Sequence, residues 1–313
     1  MLTRRHIRVK VMQSVYAFIQ SKNTDLGKEE KFLSASMENM YNLYLTLLGL
    51  LVEVQKTAEE QLTLSQKKYL ATKEEKNPKR KFIDNPVLQL LVNDTVLTEK
   101  LENRNISWDL DDEYVKIIYR AILESDLYKA YMAKEVTTFK EDKKLILELF
   151  QHIIAPNEKL YEYIEDKKLT WVDDLPLVNT LLVKMIKKLK EDSPEDYFHP
   201  SLFKDQDDKM FASELFKKTI LNNERLQQEI DGKTPNWDTD RIAELDSVLL
   251  KMAICEFLKF PSIPVKVTIN EYLEIAKEYS TPKSSIFING ILDKLVKEYE
   301  ANNSLNKSGR GLM

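Results

Sequence analysis

Apolar residues recur along this chain at intervals of three and four, and no convincing run alternates in steps of two. That periodicity commits the polypeptide to helices that bury one face and leaves little scope for a sheet. The first stripe, Ile7, Val11, Val15 and Phe18, places residues 4 to about 21 on one amphipathic helix with Thr3 as its N-cap. Residues 29–66 support one long helix or two shorter ones, and the polar, lysine-rich stretch from Gln66 to Lys81 reads as an exposed linker. Beyond it, stripes and polar breaks alternate as far as residue 297. Glycine is scarce, 6 in 313 residues, which argues against tight hairpins and Gly-rich phosphate cradles. The 10 prolines fall mostly between stripes, as helix punctuation does. The expected fold is all-α, with residues 301–313, rich in Asn, Ser and Gly, as a disordered tail.

The three tryptophans mark an internal repeat. Trp108, Trp171 and Trp237 are spaced by 63 and 66 residues, with a leucine eleven residues before each (Leu97, Leu160, Leu226) and an aspartate three residues after each (Asp111, Asp174, Asp240). The second and third copies also share Asp142/Asp208, Lys143/Lys209, Glu148/Glu214, Leu149/Leu215, Phe150/Phe216, Asn157/Asn223 and Glu158/Glu224 at an offset of 66. Each copy reads as helix, break, Trp-x-x-Asp and second helix, with the aspartate as N-cap. The middle of the chain is therefore expected to be stacked helical hairpins.

Charge is unevenly distributed. Residues 1–24 hold Arg4, Arg5, Arg8, Lys10 and Lys22 and no acid, a charge of +5 that leaves −9 for the rest of a chain whose formal net charge is −4. A globally basic nucleic-acid binder is excluded, but a cationic end on an acidic body is not. Catalysis finds no support. His6, His152 and His199 are scattered without metal-ligand spacing, and Cys255, the one cysteine, sits on an apolar stripe as a core residue. No cofactor or metal is expected, nor an enzyme. The absence of a disulfide framework, a signal pattern or a long uncharged apolar run places the chain in the cytoplasm.

The two ends carry the functional signal. Cations in the first turns of a helix oppose its dipole, at a cost of a few tenths of a kcal/mol each, roughly, and a phosphate ligand would offset that. At the far end, Asp240 to Lys294 reads as three helices: an apolar-striped one, a second opening at the Thr268–Glu271 capping box after Phe260-Pro261-Ser262-Ile263-Pro264, and a third opened by Thr281-Pro282. Glu256 lies beside the apolar stripe and needs a partner, for which Lys266 or free backbone N–H groups are the sequence candidates. In the last helix Phe287, Ile291 and Leu295 share a face, and Gly290 would permit close approach of a neighbouring helix or of an RNA backbone. Lys283, Ser284 and Ser285 fall in its first turn, where N–H donors and a cation suit a phosphate.

These ends resemble the NusB family of bacterial transcription antitermination factors. The resemblance rests on the basic opening helix with Gln13-Ser14-Val15-Tyr16, on Asp246 to Glu256, on Ile263 to Glu271, on Ala276-Lys277, and on Phe287-Ile288-Asn289-Gly290-Ile291-Leu292-Asp293-Lys294. It implies an all-helical NusB-like bundle from residues 1–30 and 205–300, with residues 31–204 as a helical insertion of repeated hairpins. It further implies binding of boxA, a single-stranded element of ribosomal RNA leaders, together with the ribosomal protein NusE. NusA, NusG and RNA polymerase complete the antitermination complex, which promotes processive ribosomal RNA transcription. Matched by position, Arg4, Arg5, Arg8, Lys10, Lys283, Ser284, Phe287 and Asn289 are the RNA-binding residues, and Tyr16 and Asp246 face the protein partner. His6, Ile7 and Val9 interrupt the basic run. The physical reading is compatible: splayed bases and phosphates suit arginines beside an aromatic. About four phosphate contacts at the basic start would give a slope of log K against log salt near −3. The rival class is a helical protein-interaction scaffold that does not bind RNA. An RNA methyltransferase bearing a NusB-like domain is rejected, for want of a Gly-rich nucleotide loop.

Overall fold

In a computed structural model of the chain, residues 1–22, 24–67, 78–231, 233 and 243–312 are described. All regular structure among them is helical: α1 (Arg4–Gln20), α2 (Leu26–Gln66), α3 (Pro86–Val92), α4 (Thr95–Asn103), α5 (Asp112–Glu124), α6 (Asp126–Ala133), α7 (Phe139–Leu149), α8 (Glu158–Lys167), α9 (Thr170–Lys188), α10 (Gln206–Leu221), α11 (Asn223–Asp231), α12 (Glu244–Lys259), α13 (Val265–Tyr279) and α14 (Ser284–Ala301). A π-helical turn, Phe150–Ile154, follows α7, and a 3₁₀ turn, Gly309–Leu312, lies near the C-terminus. The chain divides into two compact units, Met1–Met37 with Leu202–Met313, and Glu38–Ser201. The first boundary falls inside α2, seven residues beyond the break expected at 30/31.

In the first unit α12 is the central helix. It packs against α1, α10, α11, α13 and α14, and every residue from Val248 to Phe257 is buried. A helix covered on all sides must be apolar on all sides, which is why Leu250, Ala253 and Ile254 accompany the stripe of Val248, Leu249, Met252 and Cys255. It ends before Pro261, which cannot continue a helical ladder. α13 starts directly after Pro264, three residues ahead of the capping box expected at Thr268–Glu271. Thr268 is instead fully buried, and its hydroxyl donates to Glu256 at 3.2 Å.

α14 buries Ile288, Ile291, Leu292, Leu295 and Tyr299, with Phe287 half-buried at the edge of that face. A Cβ added to Gly290 would meet nothing within 4 Å, so no neighbouring helix makes the close approach its glycine would permit. The tail also departs from expectation. Ser304 N–H donates to the Tyr299 carbonyl (2.9 Å), Ser308 N–H to the Pro261 carbonyl (3.1 Å), and Lys307 Nζ to the carbonyls of Glu256 and Phe260 (3.2 and 3.0 Å). Backbone docking on the turn between α12 and α13 orders this segment, an interaction its composition does not reveal.

In the second unit the first two tryptophans occupy equivalent places. Trp108 donates its indole N–H to the Thr46 carbonyl (3.1 Å) and Trp171 to the Asn39 carbonyl (2.8 Å), both on α2. Those acceptors are seven residues apart, about 10.5 Å along the helix. Each preceding helix opens with a side-chain cap, Asp94 accepting from Leu97 N–H and Asn157 from Leu160 N–H. Of the two aspartates after these tryptophans, only Asp111 stands at an N-cap position, that of α5. Asp174 lies inside α9, because that helix starts one residue before Trp171, and Asp111 precedes α5 without a side-chain cap bond, accepting instead from Tyr163 and Lys167. Trp237 and Asp240 lie outside the described residues. His199 lies in a loop with its side chain covered, 2.7 Å from Asp94.

Candidate nucleic-acid interface

The first turn of α1 is fixed by a capping box in which Thr3 and His6 bond reciprocally. The His6 Nδ1 accepts the Thr3 N–H at 3.2 Å, which requires a ring nitrogen without a proton. Burial, followed by the charge of Arg5, lowers the His6 pKa and favours that neutral form. With this turn in place, Arg4, Arg5 and Arg8 project towards the acidic residues of α10, α12 and α13.

Each arginine takes one carboxylate at hydrogen-bond distance, and Arg8 also lies 3.7 Å from Glu271. Arg4 Nε donates to Asp208 at 2.7 Å, and its guanidinium lies 5.1 Å from the Phe211 ring centre. Arg5 forks onto Glu271 at 2.9 and 3.0 Å, and these bonds hold the Glu271 carboxyl below its ordinary pKa against the opposing effect of burial. Arg8 is buried, and donates to both oxygens of Glu256 at 2.6 and 2.8 Å. Burial alone would lower the Arg8 pKa, yet the attraction of Glu256 outweighs it and raises the value. Arg4 and Arg5 keep about two-fifths of their side-chain surface exposed, at 40% and 41%. The partner of Glu256 is thus Arg8, 248 residues away in sequence, and not Lys266.

An open cleft of about 730 Å³ lies at this point, with Arg4, Arg5, Arg8 and His6 on one side, Ile263, Pro264 and Val267 below, and Glu271 and Arg310 completing the rim. The sequence-predicted RNA-binding residues divide into two groups around it. Arg4 and Arg5 are available on the cleft surface. Arg8 and Lys10 are buried in the bundle, at 2% and 5% exposure, so their side chains do not face solvent.

The other predicted residues lie elsewhere. Lys283 is exposed beside the start of α14, and Asn289 is half-buried and donates to Asp293 at 3.1 Å. Ser284 is buried and donates to Asp246 at 2.7 Å, while Ser280 donates to the other oxygen of Asp246 at 2.6 Å. Asp246 therefore holds α14 and the end of α13 to the start of α12; it does not face outward to a partner. Tyr16 is exposed, at 38%. α1 packs mainly on α10 and α12 and touches α13, whereas α14 packs on α12 and α13. Glu256, under the arginines, and Asp246, under Ser284, are ten residues apart on α12, about 15 Å. The basic start and the first turn of α14 are thus at different ends of α12.

Within the described residues no group of His, Cys, Asp or Glu is placed to hold a metal ion, and no helix is long and apolar enough to cross a membrane. An all-helical unit with an arginine-lined cleft is the class defined by fold and geometry. Residues 175–297 match the model of the NusB family. Three curated proteins named transcription antitermination protein NusB are similar over part of their length. That of Salinibacter ruber is 44% identical over 103 residues, covering 33% of this chain and 64% of the relative. That of Chloroherpeton thalassium is 40% identical over 130 residues (42% and 59%), and that of Methylacidiphilum infernorum 40% identical over 94 residues (30% and 66%). The chain therefore spans about three-fifths to two-thirds of the length of the relatives it matches.

Proposed function

We propose that this protein is an RNA-binding transcription antitermination factor. It binds boxA-type single-stranded RNA together with the ribosomal protein NusE, and acts with NusA, NusG and RNA polymerase to promote processive ribosomal RNA transcription. The observation that carries this reading is the pair Arg4 and Arg5, held on an open cleft by a helix whose own dipole disfavours them. An arginine with one carboxylate partner retains further N–H donors: Arg4 uses only Nε on Asp208, leaving its terminal nitrogens for a phosphate. Lys283, exposed beside the start of α14 and apart from the cleft, is a further phosphate contact in this reading, with Phe287 and Asn289 on the same helix. Arg8, Lys10, Ser284 and Asp246 act beneath the surface as supports. Tyr16, exposed on α1, remains the partner-facing residue. Residues 31–174, which precede the NusB match and bear Trp108 and Trp171, are read as an insertion into the family fold; residues 175–204, expected to be part of it, fall within the match.

Two buried cations lower the expected salt dependence. With Arg4, Arg5 and Lys283 as the phosphate contacts, the slope of log K against log salt is about −2 rather than −3. The test is a gel shift of a boxA RNA with and without NusE, at about 50 and 200 mM salt. The expected result is a complex that NusE strengthens and that Arg4→Glu/Arg5→Glu abolishes while circular dichroism stays helical. Equal binding by that variant would remove the cleft from the function, and no binding by the unaltered protein with NusE present would reject the reading.

A further inference from the structure

Three of the four arginines lining the cleft are matched by acids: Arg4 by Asp208, Arg5 by Glu271 and Arg8 by Glu256. The fourth, Arg310, is exposed and has no ion-pair or hydrogen-bond partner among the described residues. It is therefore the group that leaves the cleft with an excess of positive charge.

Its position is built by backbone, not by chance. Gly309 has φ of +55°, a conformation in which a side chain is strained, and it turns the chain back after Ser308. Gly311 is buried, and a Cβ there would lie 1.9 Å from the Pro261 carbonyl oxygen. The two glycines flank Arg310 and set a 3₁₀ turn against the α12–α13 corner. Ser308 N–H and the Lys307 ammonium anchor the same segment to the carbonyls of Pro261, Glu256 and Phe260. The corner so anchored is the one that floors the cleft through Ser262, Ile263 and Pro264.

We propose that Arg310 contacts a phosphate of the single-stranded RNA in this cleft, and that docking of the C-terminal segment through Gly311 is what positions it. The inference rests on the RNA-binding reading above and adds a residue far in sequence from the basic start. A guanidinium without a local acid can meet a phosphate bidentately and gives up no internal bond to do so.

The experiment is fluorescence anisotropy of a labelled boxA RNA with the full chain and NusE, at about 50 and 200 mM salt. It compares the unaltered protein with Arg310→Ala, Arg310→Lys and Gly311→Val, each checked for helicity and melting. Arg310→Ala is expected to weaken binding roughly tenfold at the lower salt and to make the salt slope shallower by about 0.7. Arg310→Lys keeps the slope. Gly311→Val, which cannot seat the segment, reproduces the Arg310→Ala loss although the arginine is present. Binding by Arg310→Ala equal to the unaltered protein overturns the role of the segment while leaving RNA binding intact. Loss with Arg310→Ala but full binding by Gly311→Val overturns the positioning device. If the unaltered protein binds no RNA, both the RNA reading and this inference fall.

Discussion

The buried pair of Arg8 and Glu256 separates a structural arginine from a ligand-binding one, and a double-mutant cycle will measure it. Both side chains are buried, at 2% and 0% exposure, and joined by two hydrogen bonds of 2.6 and 2.8 Å. Glu256 has one further side-chain donor, the Thr268 hydroxyl at 3.2 Å. Changing Arg8 to Met keeps an apolar stem against Phe211 and Tyr272, whose rings the guanidinium now covers at 5.2 and 5.8 Å. It leaves a carboxylate with one hydroxyl in the centre of the bundle. Stranding one member of a buried pair costs about 3–5 kcal/mol, a large share of the roughly 5–15 kcal/mol that holds a domain folded. Glu256→Leu, which strands the guanidinium, should cost a similar amount. The pair replaced together, Arg8→Met/Glu256→Leu, leaves no stranded charge and should lie within about 1–2 kcal/mol of the unaltered protein.

Urea unfolding followed by circular dichroism gives the four free energies, and the coupling should be several kcal/mol, at or above the usual upper range of about 3 for contacting residues. A single Arg8→Met cost below about 1 kcal/mol, or a double variant as unstable as the sum of the singles, would refute the reasoning. The folded double variant then supplies a second result. With Arg8 a support, it binds boxA RNA as the unaltered protein does; with Arg8 a contact, it is stable yet impaired. Replacing Arg4, Arg5 and Arg8 together by Glu would not make this distinction, because the third change would unfold the bundle that presents the first two.

Two further outcomes follow from the geometry. The folded His6 pKa lies below the ordinary value of about 6.5, so the stability it contributes is complete above that pH and is lost as pH falls through the folded value. Arg5, Glu271 and the N-terminal ammonium face this ring, and Glu271, itself held low by Arg5, weakens only at more acidic pH. The protection of first-turn amides of α1, taken relative to the base-catalysed intrinsic rate, should fall between pH 7 and 5, and His6→Ala should flatten that response; an unchanged pH response in the variant would remove His6 as its source. Gly290→Ala should raise stability by about 1 kcal/mol, since an open site in a helix interior gains propensity without a clash. A melting temperature that falls instead would mean that the position is crowded.

The helical class of the fold was legible because its signal is local: stripes at helical spacing, Thr3 ahead of α1, and Pro261 and Pro264 bracketing the corner between α12 and α13. The start of α13 was misplaced for a local reason as well. Thr268-Ile269-Asn270-Glu271 has the letters of a capping box, but Pro264 already sets the backbone, and Thr268 N–H bonds the Pro264 carbonyl inside the first turn. What no window of the sequence contains is pairing at long range. Arg8 with Glu256, Arg4 with Asp208 and Ser284 with Asp246 are 248, 204 and 38 residues apart, and each decides whether a side chain faces ligand or core. Arg310 escaped for the opposite reason. Its neighbours Ser308, Gly309 and Gly311 have the composition of disorder, and only a carbonyl at Pro261 makes the absence of a Cβ at Gly311 meaningful.

The arrangement also explains why a cationic start can persist on an acidic body. Three acids on α10, α12 and α13 neutralise Arg4, Arg5 and Arg8 one for one, so α1 docks without a stranded charge. The buried pair ties α1 to the centre of the unit, while the two part-buried pairs hold the Arg4 and Arg5 guanidinium groups in fixed orientations at the surface. Arg4 holds the buried Asp208 through Nε alone, so a phosphate could take its terminal nitrogens without stranding that carboxylate. A deeper placement of Arg4 and Arg5 would have locked them as Arg8 is locked, and complete exposure would have left them to sample many rotamers before binding. Graded burial along one helical turn, from Arg8 inward to Arg5 and Arg4 outward, thus divides a single basic motif into a buried anchor and a solvent-accessible pair.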